Sequence, residues 1–139
     1  MTAMFSNALE FNQNIGMWDV SSVSYFNNMF YGAKAFNQDI SDWKTGNAVD
    51  MKLMFFGALE FNQDVGVWDV NSVTNFDGMF YGAQAFNQNL CDWKPLPTAT
   101  TVDGNSPTLN FLFETACEEK VLSDSFVCQS CADSSSPSA

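Results

Sequence analysis

Histidine is absent from the 139 residues. That removes the commonest general acid/base group and the commonest nitrogen ligand for metals. A serine or cysteine nucleophile is thereby left without its usual base. Basic residues are scarce as well: 5 Lys and Arg stand against 16 Asp and Glu, for a net charge of −11. Such a charge repels phosphate backbones and anionic bilayers, so nucleic acid and acidic membrane surfaces are poor partners. No stretch is long and apolar enough to span a bilayer. No basic flank precedes an apolar run in the manner of a secretory signal. Basic partners, cations and plain solubility remain compatible with the charge.

What the chain has in quantity is aromatic and sulfur-bearing bulk: 14 Phe, 7 Met and 4 Trp. These residues recur. Met-Phe pairs stand at Met4-Phe5, Met29-Phe30, Met54-Phe55 and Met79-Phe80. Phe-Asn-Gln triplets begin at Phe11, Phe36, Phe61 and Phe86, and the tryptophans are Trp18, Trp43, Trp68 and Trp93. Every series steps by 25 residues, and three series in one register define a repeat. A longer period lies on top, since residues 8–43 match 58–93 at about two-thirds of positions. Alternate coils therefore differ, as Asp19 and Asp69 against Lys44 and Lys94 show. Met1 stands where Phe26, Met51 and Phe76 stand later, inside a repeat. The first repeat is thus expected to be truncated and the chain to be a fragment lacking earlier repeats and any signal peptide.

From Ser21 to Ala33 the apolar residues Val23, Phe26, Met29, Phe30 and Ala33 follow the spacing of one helix face. Ser21, Ser22 or Asn71 would cap its start, and Gly32, Gly57 or Gly82 would mark its end. Phe36 to Trp43 reads as a short strand centred on Ile40, with Ile15, Val65 and Leu90 as its counterparts. The predicted fold is an α/β solenoid. It is a leucine-rich-repeat-like stack of about four to five coils, with one short strand and one helix per coil. Stacking at about 4.8 Å would align Phe11, Phe36, Phe61 and Phe86 in one ladder and Phe5, Phe30, Phe55 and Phe80 in another. Trp18, Trp43, Trp68 and Trp93 would form a further ladder. Asn12, Asn37, Asn62 and Asn87 would form an amide ladder, each side chain donating to one carbonyl and accepting from another group.

The four repeats occupy residues 1–93. An insertion with a cysteine-rich capping coil is expected over 94–131, where Leu109, Leu112-Phe113 and Thr115-Ala116 echo the repeat, and a disordered tail over 132–139. All four cysteines lie at this end: Cys91, Cys117, Cys128 and Cys131. Their clustering favours disulfides closing the cap in an oxidising compartment, with three possible pairings. A four-thiolate zinc site is the rival, because Cys128-x-x-Cys131 has ligand spacing but no second pair of that kind exists. Free or redox-active thiols are the third reading.

No catalytic residue is assigned. The acids recur with the repeat, whereas a catalytic pair breaks a pattern in one place. Asn14, Asp39, Asp64 and Asn89 are equivalent, and stacking would bring Asp39 and Asp64 close enough for calcium to bridge them. Carboxylates that cap turns are the favoured alternative. The best binding candidates are Asp39 and Asp64 with Tyr25, Tyr31 and Tyr81, a combination suited to a sugar chain or a basic protein patch.

The segments MFYGAKAFNQDISDW and FNQDVGVWDVNSVTNFDGMF resemble the repeat of BspA-like leucine-rich-repeat surface proteins. The resemblance spans roughly residues 1–93 and more loosely 109–116. It departs at Trp43-Lys44-Thr45-Gly46, which replaces Trp-Asp-Val-Ser. It implies a secreted or surface-anchored protein engaged in adhesion, and carries over no catalytic residues. The expected function is a non-enzymatic binding or adhesion scaffold for protein or polysaccharide. The alternative is a structural or accessory subunit of a larger assembly.

Overall fold

Between Phe26 and Phe36 the backbone makes overlapping turns. Met29 N–H donates to Phe26 O (3.0 Å), Tyr31 to Asn28 O (3.1 Å), Ala33 to Phe30 O (3.0 Å) and Phe36 to Ala33 O (3.2 Å). The N–H groups in between leave the coil. Those of Phe26, Asn28, Phe30 and Gly32 donate to Asp50, Lys52, Met54 and Phe56 at 2.7–2.9 Å. Local and inter-coil bonds thus alternate along the segment, and these eight N–H groups are satisfied. The alternation needs left-handed residues: Asn28 has φ 59° and Gly32 φ 64°. Such residues four apart cannot sit inside an α-helix.

The computed structural model describes residues 1–90, 92 and 93. Counted from Met1, they form coil 1 (1–25), coil 2 (26–50), coil 3 (51–75) and coil 4 (76–93). The same inter-coil bonds join coil 1 to coil 2, through Ala3, Phe5 and Asn7, and coil 3 to coil 4, through Leu53, Phe55 and Gly57. Cys91, Cys117, Cys128 and Cys131, the insertion and cap expected over 94–131, and the tail over 132–139 lie outside the described residues.

The α/β solenoid is overturned. Among the described residues there is no helix. The β pairing consists of two isolated parallel bridges, Tyr25 with Asp50 and Asp50 with Asn75. A leucine-rich-repeat coil of strand plus helix is therefore not what this sequence makes. Apolar residues at 26, 29, 30 and 33 suit overlapping turns as well as a helix face, since both return a side chain inward every three to four residues. Phe36 to Trp43 is not a strand either; it ends in a turn, with Trp43 N–H on Ile40 O at 3.2 Å.

The core is built of side-chain ladders. Phe30, Phe55 and Phe80 stack with centroids 5.4 and 5.5 Å apart. Phe36, Phe61 and Phe86 stack at 5.9 and 6.1 Å, and Trp43 lies 6.2 Å from Trp68. A buried indole needs an acceptor for its N–H. Trp43, Trp68 and Trp93 donate to the carbonyls of Ile15, Ile40 and Val65 in the preceding coil at 3.0–3.1 Å.

The amide ladder differs from the expected one-in, one-out pattern. Asn12 Oδ1 accepts both Asn37 N–H (3.0 Å) and Gln38 Nε2 (2.9 Å). Asn37 Oδ1 accepts in the same way from Asn62 and Gln63, and Asn62 Oδ1 from Asn87 and Gln88. The oxygen does the accepting and the next coil's glutamine supplies the second donor. Asn37→Ala removes the acceptor of two hydrogen bonds and is expected to cost about 1 kcal/mol in urea unfolding. Asn37→Asp keeps that oxygen and should lose clearly less. Equal losses for the two variants would contradict the ladder.

Candidate functional site

Just before the central residue of coils 1, 2 and 3 stands an Asx side chain that closes its own turn. Asp39 Oδ1 accepts Ser41 N–H (2.9 Å) and Ser41 Oγ–H (2.7 Å). Asp64 Oδ1 accepts Gly66 N–H (3.1 Å), and Asn14 Oδ1 accepts Gly16 N–H (3.0 Å). Asp19 and Asp69 do the same one corner further on, with Ser21 and Asn71 as donors. Short acidic and amide side chains favour such turns because they mimic a backbone carbonyl two residues away. These turn-closing bonds are the favoured reading of the carboxylates, and the alternative of a calcium bridge between Asp39 and Asp64 finds no supporting constellation. Among the described residues no group of three or more acids or cysteines is placed to hold a metal ion.

Asp39 and Asp64 do share a surface. Both line a cleft of about 720 Å³, together with Asp42, Asp69, Lys44 and the exposed Val67. The cleft lies where coil 2 departs from the repeat. Thr45 turns inward, is 2% exposed, and donates its hydroxyl to Asp69 O at 2.9 Å. Gly46 lies against the Asp69 carboxylate, leaving no side chain between them. The wall carries four carboxylates against the single ammonium of Lys44, so its field is negative and attracts cations.

The Ser41 hydroxyl, and after it the Ser41 N–H, hold the Asp39 carboxyl below its usual range, and Ser21 acts likewise on Asp19. A depressed carboxyl contributes stability above its unfolded pKa and loses it as the pH falls through the folded value. Both groups are exposed, so that contribution is small. Ser41→Ala is expected to move the Asp39 titration upward, toward an ordinary aspartate, in a carboxyl NMR titration. An unmoved midpoint would show that the hydroxyl is not the cause.

The three tyrosines do not make one patch. Tyr31 and Tyr81 belong to a stack through Phe56, with centroids 4.8 and 5.0 Å apart and rings within 4° and 7° of parallel. Stacked in this way, the rings cover one another's faces. A sugar platform needs an open ring face. Tyr25 is exposed, sits at the parallel bridge, and its carbonyl accepts from the Met1 amine at 2.8 Å. Gln38, Gln63 and Gln88 are ladder members as well, each donating to the asparagine of the coil before, and the Phe-Asn-Gln triplet repeats them as faithfully as the asparagines. Among the described residues no helix is long and apolar enough to cross a membrane.

A family model described as "Mycoplasma protein of unknown function, DUF285" matches residues 1–104. No curated protein and no solved structure matches the chain.

Proposed function

We propose, from the premise that this chain belongs to the DUF285 family, a non-enzymatic extracellular or cell-surface scaffold that holds a basic protein segment. The resemblance to BspA-like surface repeats supports a location outside the cell. The observation that carries the binding role is the acidic cleft beside Val67, the place where a regular wall is interrupted by a change of sequence. Its carboxylates suit lysine and arginine side chains, and Val67 offers an apolar contact beside them. Polysaccharide is the weaker partner, because both faces of Phe56 and one face each of Tyr31 and Tyr81 are taken up by their own stack.

Calorimetric titration of the full chain with a lysine- and arginine-rich peptide tests this reading. Binding should weaken as salt rises, and Asp42→Asn with Asp64→Asn should weaken it by roughly tenfold. Binding that ignores both, or none at all, overturns it. Capture of neutral glycans in place of the peptide would transfer the site to polysaccharide.

A further inference from the structure

Among the residues that line the acidic cleft, Lys44 is the one cation. It stands where coils 1 and 3 have Asp19 and Asp69. Those aspartates close turns, accepting the N–H groups of Ser21 and Asn71 at 3.0 Å. A lysine has no side-chain oxygen, so coil 2 builds the same corner in another way. The Thr45 hydroxyl reaches Asp69 O, and Gly46 sets no side chain beside the Asp69 carboxylate. The fold therefore makes no use of the Lys44 ammonium.

Its neighbours do not occupy it either. Among the described residues the ion pair is that of Lys52 with Asp77, at 3.7 Å. Lys44 is exposed and pairs with none of Asp39, Asp42, Asp64 and Asp69. Asp19, one coil away at the same corner, is held below its usual range by Ser21 and not by Lys44. The carboxylates, in contrast, are held in place. One oxygen each of Asp39, Asp64 and Asp69 accepts a turn N–H, and the other has no partner among the described residues. Groups fixed in this way lose little freedom when they bind.

Equivalent rings of coils 2 and 3 lie 5.9 and 6.2 Å apart. That is close to the step of about 6.6 Å between alternate residues of an extended strand. Asp39 and Asp64 are equivalents in these two coils, and so are Lys44 and Asp69. An extended segment lying along the stack therefore meets two rows. The first sets acid beside acid and suits two bases. The second sets a cation beside an acid and suits an acid beside a base.

Resting on the reading of the cleft as a site for a basic segment, we infer that the segment also carries an acidic residue that pairs with Lys44. Lys44 is then the residue by which the cleft tells a mixed-charge segment from a uniformly basic one.

Calorimetric titration of the full chain with a family of peptides tests the inference. The parent peptide alternates lysine with glycine, and in each of the others one lysine is replaced by glutamate, at every position in turn. At one position the replacement should weaken binding to the unaltered chain at least about fivefold less than binding to Lys44→Glu. Lys44→Gln should fall between the two. Thermal unfolding should be the same for all three chains, because the ammonium has no bond to lose. Lys34→Glu makes the same change of charge at an exposed position outside the cleft, and should leave every peptide ratio as it was. A glutamate that costs the same on the unaltered chain and on Lys44→Glu at every position overturns the inference and leaves the basic-segment reading standing. An equal effect from Lys34→Glu also overturns it, since net charge alone would then explain the selection. Failure of every peptide to bind overturns both readings.

Discussion

Phe55→Ala is expected to lower stability by about 3–5 kcal/mol, the range for emptying a fully buried aromatic site. Phe55 is 0% exposed, and its ring meets those of Phe30 at 5.4 Å, Phe61 at 4.0 Å and Phe80 at 5.5 Å. The hole would open between the middle coils, where each coil depends on its neighbours for burial. A loss of that size is comparable with the whole stability of a small domain, which runs at about 5–15 kcal/mol. Phe5→Ala is the control, since Phe5 occupies the same position in coil 1 and is only half-buried. Urea unfolding should rank Phe55→Ala well above Phe5→Ala. Equal losses would mean that the ladders do not act as a continuous core.

The second large effect is expected at Gly66. A Cβ there would overlap the carbonyl oxygen of Asn89 in the next coil. The obstacle is backbone, which cannot rotate aside, so coils 3 and 4 must separate locally. Gly66→Ala should cost about 1–3 kcal/mol or more, as overpacking does. Gly46→Ala is the informative contrast. Its Cβ would lie 3.3 Å from an Asp69 carboxylate oxygen, on a side chain able to turn away. Thermal unfolding of the two variants should show a clear drop for the first and little change for the second. A tolerated Gly66→Ala would mean that coils 3 and 4 are packed less closely than described. Ser41 stands in the position equivalent to Gly66, so the sequence alone gives no warning that the two sites differ.

Legibility varied by element. The 25-residue period was plain because burial repeats with it: Phe30, Phe55 and Phe80 are each fully buried and each stacked on the next. The helix expected from Ser21 to Ala33 does not form, because an apolar spacing of three and four reports which side chains face inward, not how the backbone turns between them. Leu53, with φ 55°, carries no signal of a left-handed backbone, whereas Asn28, with φ 59°, carries a weak one, since asparagine enters that region more readily than other residues with a side chain. The candidate site was partly legible. Asp39 and Asp64 were singled out from equivalent positions, and both line the cleft. Their gathering with Asp42, Asp69 and Lys44 into one wall was not visible, because these residues belong to two different coils. Tyr25, Tyr31 and Tyr81 were grouped by residue type, but contact divides them.

By itself the sequence determined the period, the acidity, the absence of histidine and the inward-facing residues, all of which follow from composition and from spacing along one chain. Only the tertiary structure decided the backbone path. Each N–H between Phe26 and Gly32 can close a local bond or reach the next coil, and the choice depends on the neighbouring coil's carbonyls being in place.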